Sequence, residues 1–86
     1  MRLKAGLIGA KTGSGETLLD PGTGRFWRFN RTGAAILDLA RSGLDRTGIA
    51  DGLARRYGLS PADAARDIEA FVRDLERKGL LVDGQG

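Results

Sequence analysis

Residues 60–80 specify a helix from one cap to the other, and they limit the possible folds more than any other segment. Ser60 stands at the N-cap position and Pro61 at the first helical position. Asp63, three residues after the cap, echoes a capping box. Ala64, Ile68, Phe71, Val72 and Leu75 recur at helical spacing, so one face is apolar and needs a cover. Gly79 falls where a helix ends left-handed, and Leu80 beyond it is spaced to fold back onto Leu75.

Two helices precede this one. Asn30 or Thr32 can cap the first, which carries Ala35, Ile36, Leu39 and Ala40 at helical spacing and stops at Gly43. Asp45 caps the second. Leu44 and Ile49 have the spacing of a hydrophobic staple, Ile49, Leu53 and Tyr57 form one face, and Gly58 ends the helix. Gly48 and Gly52 inside it each cost about 1 kcal/mol relative to Ala, so the second helix depends on packing.

Before Asn30 the texture changes to strands. Residues 1–10 hold a first strand, with Leu3, Ala5 and Leu7 alternating. Residues 11–15 form a flexible connection, and Glu16–Asp20 is a second strand. Asp20-Pro21-Gly22-Thr23-Gly24 is a turn, and Arg25–Phe29 returns as a third strand, giving a hairpin. Trp27 and Phe29 share one face of that strand as the expected core pair, while Phe26 and Arg28 share the other. Phe26 either packs on a neighbouring loop or lines a binding surface. The expected architecture is α+β: a three-stranded antiparallel sheet over about residues 3–29, then three helices over about 31–78, as one domain spanning residues 1–86. The tight connection Tyr57-Gly58-Leu59-Ser60 makes a helix-turn-helix, and the hairpin beside it makes a winged helix.

Composition narrows the function. The chain has no Cys and no His. Disulfides, the common zinc sites, cysteine nucleophiles and imidazole acid–base chemistry are therefore excluded. The aspartates fall at turns, caps and solvent faces, and the Gly-rich turns at 13–15 and 22–24 lack the lysine and following helix of a phosphate loop. We expect no catalytic residue, no metal site and no cofactor. The start is a poor secretory signal and no apolar run is long enough to span a bilayer, so the expected location is cytoplasmic, with no membrane partner.

A winged helix suggests DNA, but the charge argues otherwise. Residues 60–78 hold four basic against five acidic residues, whereas residues 1–43 hold seven basic against three acidic. A helix entering the major groove needs a positive balance. The positive charge sits with the strands instead. If Arg25–Phe29 is a sheet edge, its unpaired backbone groups can accept another chain, and Arg25, Arg28 and Arg31 would attract an acidic peptide. The other reading is that these arginines merely protect the edge from aggregation.

The order of local motifs supplies a resemblance. Thr17-Leu18-Leu19-Asp20 precedes Thr23-Gly24-Arg25-Phe26-Trp27-Arg28-Phe29, and Asn30-Arg31-Thr32-Gly33-Ala34-Ala35-Ile36-Leu37 follows. Further on come Ile49 to Tyr57, then Asp67-Ile68-Glu69-Ala70-Phe71-Val72 and Lys78-Gly79-Leu80. Over residues 16–82 this resembles the PqqD-like family, with Phe29 in place of the usual Leu and Ile68 in place of Val. The resemblance implies a recognition element that binds the leader of a ribosomally made, modified peptide. The leader adds as a strand to the third strand and lies between it and the third helix. It also implies partner enzymes that carry out the chemistry. The pyrroloquinoline quinone branch, which works with a radical enzyme, usually has an Ala-Pro-Glu-type segment at the hairpin. This chain has none, and it is more similar to the stand-alone proteins of lasso peptide clusters. Those serve a separate leader peptidase and an ATP-dependent macrocyclase, with a Tyr-x-x-Pro-type leader. The implied leader-binding residues are Arg25, Phe26, Trp27, Arg28 and Phe29 on the strand and Asp67, Ala70, Phe71 and Asp74 on the helix. Arg28 with Asp67 or Asp74 would set the register, and apolar leader side chains would dock near Phe26, Ala70 and Phe71.

Overall fold

The structure is a computed structural model, and it describes residues 1–83. Two short strands and a hairpin come first: β1 (Arg2–Leu3), β2 (Ile8–Thr12), β3 (Gly15–Asp20) and β4 (Arg25–Asn30). Three helices follow, α1 (Arg31–Arg41), α2 (Arg46–Tyr57) and α3 (Pro61–Arg77), and then β5 (Leu81–Asp83). β2, β3 and β4 form an antiparallel sheet in that order. This is the expected α+β arrangement, a three-stranded sheet followed by three helices.

The N-terminus departs from expectation. Residues 1–10 do not form one strand. The chain turns at Gly6, whose φ of +84° favours glycine, and splits into β1 and β2. β1 pairs with β5 near the other end of the chain, and the Lys4 amide donates to the Leu80 carbonyl at 2.8 Å. The sheet's first strand is therefore Ile8–Thr12. The supposed connection at 11–15 belongs mostly to the β2–β3 hairpin, with Gly13 and Ser14 as its turn.

The caps form as the sequence indicates. Asn30, rather than Thr32, caps α1 by accepting from the Gly33 amide at 2.9 Å. Asp45 accepts from Gly48 and Ser60 from Asp63. At the end of α3 the Leu80 amide donates to the Leu75 carbonyl (2.9 Å) and the Gly79 amide to Glu76 (3.0 Å), a complete Schellman ending that buries Leu80 against Leu75.

The core has two parts. Ile36, Ala40, Ile49, Leu53, Ile68 and Val72 fill the space among the helices, while Leu18, Leu37, Leu75 and Leu80 join helices and sheet. α1 lies between the sheet and α2, so it buries far more than a single stripe, Leu37 included, and Leu39 is only half-buried. Gly52 leaves the space that the Leu39 side chain occupies, since a Cβ there would approach it to 3.2 Å. Tyr57 is a correction. It does not join Ile49 and Leu53 in the core but is 41% exposed at the end of α2.

A buried ion pair, with no local signal in the sequence, ties α1 to the sheet. The Glu16 side chain is almost fully buried beneath β3, and both of its oxygens accept from the Arg41 guanidinium, which also reaches Asp38. Gly9 on β2 is the counterpart of this pair, because a Cβ there would overlap the Glu16 carboxylate.

Three aspartates depart from the ordinary carboxylate range. The Lys4 ammonium beside Asp20, Lys11 beside Asp38, and Lys78 beside Asp74 each hold the carboxyl below its usual value of 3.8 against the opposing effect of burial. A depressed folded-state pKa stabilises the fold above the unfolded value, and that contribution disappears as pH falls through the folded value. We therefore expect the urea midpoint to be flat from pH 7 to about 5 and to drop below about pH 4. A midpoint unchanged at pH 3 would rule out this linkage.

Candidate functional site

Strand β4 ends the sheet, so one of its sides is an open edge among the described residues. The register fixes its two faces. Leu18 lies opposite Trp27, and Glu16 opposite Phe29, on the side that faces the helices. Trp27 and Phe29 are half-buried there against the Leu18–Leu37–Leu75–Leu80 cluster.

Phe71 of α3 meets Phe29 with ring centroids 5.7 Å apart and planes tilted by 57°. Phe71 is half-buried, packs on both core clusters and also faces a groove. That groove has a volume of about 310 Å³ and runs between α3 and the β4–α1 junction. Asp67, Ala70, Phe71 and Asp74 line one wall, and Asn30, Thr32, Gly33 and Ile36 line the other. All four helix residues singled out from the sequence therefore share one cavity. The second wall escaped the sequence reading because Asn30 and Thr32 read as capping residues and Gly33 and Ile36 as helix interior. Gly33 could have signalled a close approach: a Cβ there would come within 3.2 Å of both Phe29 and Phe71.

The strand residues are split between two faces. Phe26 and Arg28 lie on the outer side of the sheet, away from this groove, because successive strand residues point to opposite faces. Phe26 therefore does not share a pocket with Ala70 and Phe71. It does not pack on a loop either: it is 58% exposed, with the Arg28 guanidinium 5.9 Å from its ring centroid. In the sheet register it completes an apolar row of Ile8, Leu19 and Phe26, all exposed.

Electrostatics mark the edge. In residues 1–43 the three acidic side chains are all engaged: Glu16 with Arg41, Asp20 with Lys4 and Asp38 with Lys11 and Arg41. Arg25, Arg28 and Arg31 pair with no carboxylate among the described residues. Arg25 lies over the Trp27 ring at 5.4 Å, and Arg31 donates to the Gly13 carbonyl. Of the four surplus positive charges of the strand half, three thus lie on β4 and the residue after it, and the fourth is Arg2 on β1. Across the groove, Asp74 is held ionised by Lys78 (2.5 Å) and Arg77 (3.1 Å).

No group of three or more His, Cys, Asp or Glu side chains is placed to hold a metal ion among the described residues. No helix among the described residues is long and apolar enough to cross a membrane. The structural relatives are close over nearly the whole length. TbiB1, solved in complex with the TbiA(β) leader peptide, superposes with a TM-score of 0.86 at 26% identity, covering 95% of each chain. A lasso peptide synthetase B1, complexed with the leader peptide, superposes with a TM-score of 0.84 at 33% identity, covering 95% of this chain and 96% of its own. No curated protein is significantly similar in sequence. The family model described as Coenzyme PQQ synthesis protein D matches residues 17–81, from the middle of β3 into β5. With most of the β3–β4 hairpin and all three helices inside that match, the chain belongs to the PqqD family.

Proposed function

We propose that this protein is a non-catalytic, cytoplasmic recognition element for a ribosomally made precursor peptide. The leader segment adds as a strand to the open edge of β4, with α3 as the facing wall. The observation that carries this reading is the open edge of β4 beside the α3 cavity. The two structural relatives, each solved with a leader peptide, support it. Backbone pairing along Arg25–Asn30 contributes about 1 kcal/mol per hydrogen bond. An apolar leader side chain over Ala70 and Phe71 adds about 1.5–3 kcal/mol, and ordering the free leader offsets several kcal/mol of the total. The leader's alternate side chains would lie beside Phe26 and Arg28 on the outer face. Arg28 sets register there, and Asp67 and Asp74 do so in the groove.

The bound precursor is then presented to a separate leader peptidase and the ATP-dependent macrocyclase of lasso peptide biosynthesis. The exposed row of Ile8, Leu19 and Phe26 offers an apolar surface for such a partner protein. A second reading, service to a radical enzyme of pyrroloquinoline quinone synthesis, is favoured only by the description of the family model.

Trp27 is the sole tryptophan and lies in the proposed binding strand. Titrating a Tyr-x-x-Pro leader should change its emission and give a matching calorimetric affinity between micromolar and nanomolar, about −8 to −12 kcal/mol. Absence of binding by both methods would end the lasso reading, and binding to a pyrroloquinoline-type precursor instead would establish the second.

Arg28→Glu should weaken an acidic leader about three- to tenfold and flatten the salt dependence of its affinity. The exposed position should leave the fold intact. Equal affinity at low salt would remove the electrostatic part of the account.

A further inference from the structure

The groove beside α3 uses one side of α1. The other side of α1 borders a second cavity, of about 260 Å³, which the leader groove does not share. It lies between the β2–β3 turn, α1 and the end of α2. Lys11, Thr12, Arg31, Asp38, Arg56 and Tyr57 line it. Lys11 and Asp38 pair with each other, and Asp38 is further engaged by Arg41. Arg31 and Arg56 are left with no carboxylate partner among the described residues. Arg31 is oriented by its Nε and Nη2 donors to the Gly13 carbonyl, at 3.2 and 3.1 Å, which leaves Nη1 available. Arg56 lies 5.9 Å from the ring centroid of the exposed Tyr57. The cavity thus offers two unneutralised guanidinium groups, one held in place, and two hydroxyls.

We propose that this cavity is a second binding site, for the carboxylates of an acidic peptide segment. A carboxylate fits the guanidinium fork and can also accept from the hydroxyls. The Asp38 carboxylate on the wall opposes a dianionic phosphate more strongly than a single carboxylate. The site also lies where β4 ends, since Asn30 pairs with Gly15 and Gly15 with Thr12. The identity of its occupant rests on the strand-addition reading: a peptide leaving β4 at Asn30 passes Arg31 and reaches the cavity with its flank.

The test is an NMR titration of the whole protein with a capped tetraglutamate peptide, which does not depend on strand addition. We expect saturable shifts at Thr12, Gly13, Arg31 and Tyr57, with none from capped tetraglutamine. Arg56→Gln, whose only described contact is with Tyr57, should weaken the tetraglutamate response about two- to fivefold. Three results would overturn the proposal: shifts absent or confined to Arg25–Phe29, equal shifts from tetraglutamine, or an equal response to inorganic phosphate. If the cavity fails while a leader still binds β4, only this second site is lost. If tetraglutamate binds here while no leader binds β4, the site stands and the strand-addition reading fails.

Discussion

Ala70→Trp should abolish leader binding while the protein remains folded. Ala70 is exposed on α3 and lines the groove between Asp67 and Asp74, so a large side chain there fills the space meant for the peptide. Losing the dock for one apolar anchor removes about 1.5–3 kcal/mol, which corresponds to about ten- to over a hundredfold in Kd. Obstruction of the added strand itself raises the loss further. Because Ala70 is exposed and not part of the core, the urea midpoint should move by no more than a surface substitution does, about 0.5 kcal/mol. Glu76→Trp on the same helix, exposed and away from the groove, is the matching control and should bind normally. Unchanged affinity in Ala70→Trp would place the peptide elsewhere on the molecule.

The largest effect on stability should come from the pair beneath the sheet. Glu16→Ala leaves the Arg41 guanidinium without its main partner, and Arg41→Ala leaves a buried carboxylate unpaired. Breaking a fully buried pair costs about 3–5 kcal/mol. Arg41 is 37% exposed and keeps Asp38, so Glu16→Ala should fall toward the low end and Arg41→Ala toward the high end. For a small domain the larger loss approaches the whole stability. Replacing Glu16 and Arg41 together with Leu and Met should recover much of it, because no charge is then stranded. Gly9→Val should be destabilising for the same geometric reason, by pushing a side chain into the carboxylate. Chemical denaturation of the four variants measures all of this. Equal midpoints for wild type and Arg41→Ala would show that the pair contributes nothing.

These two predictions rest on features that differ in how visible they were in the sequence. The groove wall on α3 was legible, because a helix with complete caps and a clear apolar stripe leaves Asp67, Ala70 and Asp74 on its other face. The hairpin was legible because Asp20-Pro21-Gly22-Thr23-Gly24 admits little but a turn between two strands. Glu16 was not. It pairs with a residue 25 positions away, and a charged residue at the start of a strand reads as solvent-facing until the topology brings α1 beneath it. The β1–β5 pair was hidden for the same reason, since two short segments at opposite ends of the chain carry no local sign that they meet. Tyr57 had the right spacing for the core but stands at the last residue of α2, past the region that α1 and α3 cover. Spacing on a helix gives the face and leaves open how far along it the cover extends. The charge balance gained the most from the fold. Once Lys4, Lys11 and Arg41 are matched to their carboxylates, three of the four remaining basic residues of the strand half, Arg25, Arg28 and Arg31, stand at one edge with no carboxylate partner among the described residues; the fourth is Arg2 on β1.

Strand addition at β4 is the central claim, and amide hydrogen exchange tests it most directly. With a Tyr-x-x-Pro leader bound, the outward-facing amides within Arg25–Asn30 should exchange more slowly, and those of β2 at the opposite edge should not change. Protection of β2 instead, or binding by calorimetry with β4 exchange unaltered, would contradict the account.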